Sequence, residues 1–216
     1  MSLPPAPSVL LYDWDNTLVD AWAGITAALN AAFMAFGLPA WTVEDTRNRV
    51  RVSMRESFPP MFGERWEDAR DIFYQTLTHH HLQHVTPMPG VEAVLRAGDT
   101  LVQGVVSNKK GDFLRAEVAH LGWAPFFSAV VGAGDATADK PDPAPILLAL
   151  GHLGVPPDAS VWYIGDTGLD MVAARAAGVT AVLLGDALHD GGVDRAAPDL
   201  HFPTSEALVS RLCELT

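Results

Sequence analysis

The chain has 216 residues, a formal net charge of −12 and 14 basic side chains, of which only Lys109, Lys110 and Lys140 are lysines. With no clustered basic surface, it is a poor partner for nucleic acid or for an anionic membrane, both of which bind through phosphate neutralisation. A hydrophobic fraction of 49% with 19% charged residues excludes a disordered chain. The lack of an apolar run near ~18 residues excludes a membrane-spanning helix.

The Met1-Ser2-Leu3-Pro4-Pro5 start shows no basic-then-apolar leader, so a reducing, cytoplasmic setting is expected. Ser8–Tyr12 is apolar on both faces, as a central strand of a parallel sheet should be. It stops abruptly at Asp13-Trp14-Asp15-Asn16-Thr17. Acidic residues there sit at the strand's C-terminal end, where open α/β sheets place their ligands.

From Asp20 to about His84 the texture is helical. Ala21–Phe36, Val43–Ser57 and Glu64–His84 read as three helices, with no strand among them. After Thr86-Pro87-Met88-Pro89-Gly90 the pattern alternates. Helices are expected at Val91–Arg96, Asp112–Leu121, Pro143–Leu153, Leu169–Ala177 and Ser205–Leu215. Strands are expected at Leu101–Val106, Ala129–Val131, Val161–Ile164 and Thr180–Leu184. Cys213, the single cysteine, lies in the last helix and reads as a small buried hydrophobe. Strand–helix alternation implies a parallel sheet with right-handed crossovers. The expected organisation is an α/β core domain of residues 1–19 and 88–216, interrupted by an all-helical domain of residues 20–87.

Four polar clusters should meet at the C-terminal edge of that sheet: Asp13/Asp15/Thr17, Ser107/Asn108, Lys140 and Asp166/Asp170. Carboxylates gathered this way repel one another unless a cation lies among them. Oxygen donors without His or Cys suit a hard ion such as Mg²⁺, while an ammonium and a hydroxyl suit a phosphate dianion. A carboxylate can also serve as a nucleophile through an aspartyl-phosphate.

The motifs themselves are Asp13-Trp14-Asp15-Asn16-Thr17-Leu18-Val19-Asp20, Val105-Val106-Ser107-Asn108-Lys109, Asp139-Lys140-Pro141-Asp142-Pro143 and Tyr163-Ile164-Gly165-Asp166-Thr167-Gly168-Leu169-Asp170. In that order they resemble the four motifs of the haloacid dehalogenase superfamily, with wording most similar to its phosphoglycolate phosphatase branch. The resemblance implies a Rossmann-like parallel sheet with helices on both faces and a small helical cap inserted after the first motif. It implies Asp13 as nucleophile and Asp15 as general acid and base. Phosphate contacts fall to Ser107, Asn108 and Lys140. Mg²⁺ ligation falls to Asp13, the Asp15 backbone carbonyl and Asp166, with Asp170 helping to hold the ion. The implied substrate is a small phosphate monoester, either phosphoglycolate-like or a sugar phosphate. A sugar-phosphate mutase and a non-catalytic binding or regulatory protein on the same fold are the rivals.

The first motif usually has Gly where this chain has Asn16, a residue that tolerates left-handed backbone angles. Trp14 is expected to pack. Phosphonoacetaldehyde-type chemistry needs a cap lysine, and residues 20–87 contain none. Arg47, Arg51 and Arg55, spaced by four, are expected on one helical face, where one could hold a second anionic group of the substrate. Arg49 lies off that stripe. His79, His80, His81 and His84 read as a solvated helix end, and Lys109 and Lys110 as surface charges. Asp20 and Thr86–Gly90 are the expected hinges.

Overall fold

A computed structural model describes residues 4–50 and 54–215, the side chains of residues 79–81, 83 and 84 excepted. The chain divides into two compact units, one from residues 1–19 and 87–216 and the other from Asp20–Thr86. No helix among the described residues is long and apolar enough to cross a membrane.

The first unit is built on a parallel sheet. Its strands are β1 (Val9–Tyr12), β4 (Val102–Lys110), β5 (Ala129–Ala133), β6 (Val161–Gly165), β7 (Thr180–Leu184) and β8 (Leu200–Phe202), in the order β5-β4-β1-β6-β7-β8. Two short strands, β2 (Val19–Asp20) and β3 (Thr86–Pro87), pair separately. β1 is fully buried and lies between β4 and β6, with Tyr12 in register with both Val105 and Ile164. The strand order turns back at β1, and that is where a ligand crevice opens in folds of this kind. The sites of three of the four polar clusters are therefore on adjacent strands.

Both faces of the sheet are covered, because alternate residues of β1 point to opposite sides. Val9 and Leu11 join Ile146, Ala149 and Leu150 of α7 (Ala144–Leu153) and Met171 and Ala174 of α8 (Gly168–Ala177) in one apolar cluster. On the other face the Tyr12 hydroxyl donates to Gln103, whose amide donates to the Leu95 carbonyl of α5 (Val91–Ala97). The remaining helices of this unit are α6 (Gly111–His120), the short α9 (Val193–Ala196) and α10 (Ser205–Leu215).

The second unit consists of α1 (Trp22–Ala35), α2 (Val43–Arg49), α3 (Met54–Phe62) and α4 (Trp66–His84), packed around aromatic residues that include Phe33, Phe58 and Phe62. Thr42 caps α2 reciprocally with Asp45, satisfying backbone donors that the helix leaves open.

Several sequence expectations change here. The helix expected over Val43–Ser57 is two helices, because Val50 ends α2 in an extended conformation (φ −76°, ψ 113°). α3 then runs through Pro59 and Pro60, although each lacks a backbone donor. Burial of Phe58 and Phe62 supplies what local propensity does not. β4 continues beyond the expected Leu101–Val106 through Ser107 to Lys110, with a register irregularity after Val106. β8 was not anticipated. Cys213 is exposed rather than buried. The buried stripe of α10 is Ser205, Leu208 and Leu212, and Cys213 lies one residue, or about 100°, off it.

Candidate active site

β1 delivers Asp13 to the edge of the sheet, and the chain turns immediately. Asn16 adopts φ +67°, the left-handed geometry that its short amide side chain tolerates. Thr17 follows in the same turn, and its hydroxyl donates to Asp166 Oδ1 at 3.0 Å. Asp166 directly follows β6, and Asp170 is the third residue of the helix that comes next. Thr167 caps that helix, its hydroxyl donating to Asp170 Oδ2 at 2.6 Å and its backbone N–H at 3.1 Å. A Cβ at Gly165 would lie 2.4 Å from Asp170 Cγ, so only glycine lets the carboxylate come this close to the strand.

Asp13, Asp166 and Asp170 each offer a carboxylate oxygen, and these oxygens all lie within 4.8 Å of one another. All three residues are buried. Lys140, 2% exposed, points its ammonium among them, 2.8 Å from Asp13 Oδ1, 2.7 Å from Asp170 Oδ1 and 2.7 Å from the Tyr163 hydroxyl. Tyr163 in turn donates to the Val106 carbonyl. Burial pushes the Asp13 carboxyl up to about 6, with Lys140 opposing and Asp170 reinforcing the shift. Asp166 is held well above the usual carboxylate range by burial, then by the charges of Asp170 and Asp13.

This donor set fits a hard divalent cation. Three ionised carboxylates and one ammonium leave a charge of −2 in a buried place, and all the carboxylate donors are oxygen. His189 Nε2 lies 3.5 Å from Asp166 Oδ2, at the edge of the group.

Asp15 goes elsewhere. Its Oδ1 accepts from Lys109 Nζ at 2.7 Å, and it is not one of the three clustered carboxylates. Burial raises its carboxyl above the ordinary value, Lys109 opposing. Lys109 is not a surface charge: its side chain is 9% exposed and also pairs with Glu117 Oε2 at 2.7 Å. Glu117, on α6 and 1% exposed, accepts from the Trp14 indole N–H at 2.7 Å. Trp14 packs as expected, edge-on to Trp123.

The structure thus brings Asp13, Asp166, Asp170 and Lys140 together. Ser107 is buried, and its hydroxyl oxygen accepts the Lys109 backbone N–H at 3.2 Å. Asn108 uses its amide to grip the Lys140 backbone, donating to its carbonyl at 2.8 Å and accepting its N–H at 2.9 Å. Lys110 is exposed.

The arginine stripe does not exist as one helical face. Arg47 is on α2, which ends at Val50, Arg55 is on α3, and Arg51 lies outside the described residues. Arg47 lies 5.8 Å over the Trp22 ring, whereas it is Arg49 that pairs with Asp45, at 3.3 Å. The side chains of His79, His80, His81 and His84 also lie outside the described set. Sequence reasoning missed Tyr163, hidden in an apolar strand, and Glu117. The signal for Glu117 was present: it shares the buried stripe of α6 with Leu114 and Val118, an unusual place for a carboxylate.

The chain belongs to the haloacid dehalogenase-like hydrolase family, whose model matches residues 10–184. It is 32% identical over 186 residues to a phosphoglycolate phosphatase of Xanthomonas campestris pv. campestris, covering 82% of each chain. It is also 32% identical over 176 residues to the N-acetylmuramic acid 6-phosphate phosphatase of Pseudomonas aeruginosa, covering 78% of this chain and 77% of that one. A haloacid dehalogenase-like hydrolase from Streptococcus pneumoniae superposes with a TM-score of 0.83 at 19% identity, over 95% of this chain and 98% of its own. That likeness speaks for the fold alone.

Proposed function

We propose that this protein is a Mg²⁺-dependent phosphatase that hydrolyses a small phosphate monoester through an aspartyl-phosphate on Asp13. The observation that carries the reading is the buried Asp13/Asp166/Asp170 group with Lys140 among its carboxylates, at the end of the central strand. The phosphatase names of the relatives support it.

Phosphoryl transfer asks mainly for positioning and charge stabilisation. Asp13 attacks phosphorus, and the bond to the leaving oxygen breaks in line. Asp15, whose carboxyl is raised by burial, gives its proton to that oxygen. As a carboxylate it then takes a proton from water, which attacks the phosphorus and releases Asp13 and inorganic phosphate. Ser107 keeps its hydroxyl hydrogen for a phosphoryl oxygen. Lys140 offsets the charge of Asp13 and Asp170 and adds a positive field for the phosphoryl group. Asn108 serves as a positioning residue for Lys140. A bound Mg²⁺, held by Asp13, the Asp15 carbonyl and Asp166 with support from Asp170, would neutralise charge developing on the phosphoryl oxygens.

The helical unit Asp20–Thr86 takes the part of the cap, and Arg47 and Arg55, both exposed, are its candidates for a second anionic group of the substrate. A phosphoglycolate-like ester is the leading substrate class. A sugar phosphate is the second reading, favoured by the N-acetylmuramic acid 6-phosphate phosphatase relative. The test is phosphate release from a panel of both ester classes, with and without chelator. Mg²⁺-dependent turnover that disappears in Asp13→Asn supports the proposal. Wild-type turnover in Asp13→Asn overturns it.

A further inference from the structure

The contacts around Asp15 form a closed ring. Trp14 donates its indole N–H to Glu117 Oε2, the same oxygen accepts from Lys109 Nζ, and Lys109 donates to Asp15 Oδ1, each at 2.7 Å. The covalent step from Trp14 to Asp15 closes the loop. Its parts come from the turn after β1, the end of β4 and the middle of α6. No phosphate or cation contact assigned above uses Glu117, yet this carboxylate is 1% exposed on an otherwise apolar stripe. Burying a charge there is unfavourable unless it is paired and hydrogen-bonded. The pairing it finds is with Lys109, a flexible side chain that would otherwise sample many rotamers.

We propose that Glu117 is a positioning residue for the leaving-group acid: through Lys109 it holds the Asp15 carboxyl apart from the Asp13/Asp166/Asp170 group and aimed at the departing oxygen. This rests on the reading of Asp15 as general acid. Trp14 fixes Glu117, Glu117 fixes the lysine ammonium, and the Asp15 carboxyl that pairs with that ammonium is fixed in turn. Without Glu117, Lys109 is free to follow Asp15 or to leave it. The carboxyl then loses its fixed direction while the nucleophile and its buried partners remain untouched.

The leaving group provides the test. An alkyl phosphate needs protonation of its departing oxygen, whereas 2,4-dinitrophenyl phosphate, with its stable phenolate, does not. The ratio kcat/KM reports events through leaving-group departure, so the later hydrolysis of the phosphoenzyme does not enter it. With Mg²⁺ present, Glu117→Ala should lower kcat/KM for an alkyl phosphate by about tenfold to a hundredfold, within the range general acid catalysis contributes. The loss for the dinitrophenyl ester should stay under about threefold. Glu117→Gln, which keeps an acceptor oxygen for Trp14 and Lys109, should recover most of the alkyl-ester rate. Lys109→Met should reproduce the selective loss if Glu117→Ala does not fold.

Equal losses on both esters in the Glu117 and Lys109 variants, with no rescue by Gln, would show a purely structural ring and overturn the inference. Asp15→Asn separates the two levels. A selective loss there beside equal losses at Glu117 and Lys109 overturns this inference alone. Equal losses on both esters in Asp15→Asn overturn the general-acid reading together with it.

Discussion

Both units of this chain carry local, exposed ion pairs, Arg115 with Asp112 and Arg211 with Glu214 among those of the α/β unit, but the α/β unit adds buried pairs between distant residues. In the helical unit the ion pairs are local and exposed: Arg65 with Asp68, Arg70 with Glu67, Arg49 with Asp45, each within one turn of helix. In the α/β unit, Lys140 reaches Asp13 and Asp170, and Lys109 reaches Asp15, across long stretches of sequence and out of solvent. The cores differ in parallel. One is a cluster of aromatic rings around Phe33 and Phe62, while the other, laid along a parallel sheet, has a largely aliphatic cluster on one face and rings of Tyr12, Trp14 and Trp123 elsewhere in it. Solvent screens the first kind of ion pair and leaves it worth little, whereas the second is neither screened nor dispensable. Where a chain buries unlike charges drawn from distant elements, chemistry is the reason to look for.

The largest expected effect is at Asp13. Asp13→Asn keeps the shape of the side chain and removes the proposed nucleophile, so turnover of any phosphate ester should fall to background in a steady-state assay while the fold persists. Next comes Lys140→Met, which leaves Asp13 and Asp170 buried without their cation. It should lower stability by about 3–5 kcal/mol in a denaturant titration, the usual consequence of breaking one side of a buried pair. Gly165→Ala pushes a methyl into Asp170, and a loss of about 1–3 kcal/mol is expected, as in other overpacked cores.

A smaller effect concerns pH. The Asp13 carboxyl is raised from 3.8 to about 6 in the folded protein, so between those values the folded chain binds more protons than the unfolded one. Its contribution to stability therefore falls as pH rises through 6. Mg²⁺ favours the ionised carboxyls, so its stabilisation of the protein should grow over the same interval. Thermal unfolding should show a larger rise in Tm with Mg²⁺ at pH 7.5 than at pH 5. An equal rise at both would mean that these carboxyls do not hold the ion. The smallest effect is expected in the helical unit: Arg65→Ala removes an exposed pair and an exposed contact with the Phe36 ring, and should cost no more than about 1 kcal/mol in the same denaturant titration. A larger loss there would break the contrast between the units.

Much of the candidate site is legible in the sequence. Val9–Tyr12 and Val161–Gly165 are short apolar runs that end in acidic residues, and parallel strands bring such ends to one edge whatever lies between them in sequence. Asn16 was legible for a similar local reason, since few residues take its backbone angles and Asn is one of them. The helical unit was legible as helix but not in detail. The break at Val50 dissolves the arginine stripe, and residues 58–62, outside the expected helices, belong to α3, which burial of Phe58 and Phe62 carries through Pro59 and Pro60.

By itself the sequence determined the elements whose cause is local: apolar strands, capped helices, a tolerated left-handed turn, and the order in which acids and lysines follow the strands. Only the tertiary structure decided which charges meet. Lys109 resembles any surface lysine until β4 and α6 bring it between Asp15 and Glu117, and only the fold shows that the Asn108 amide closes on the Lys140 backbone. Periodicity reports which face of an element is buried. It carries no information about the partner that buries it, because that partner is supplied by chain closure over many tens of residues.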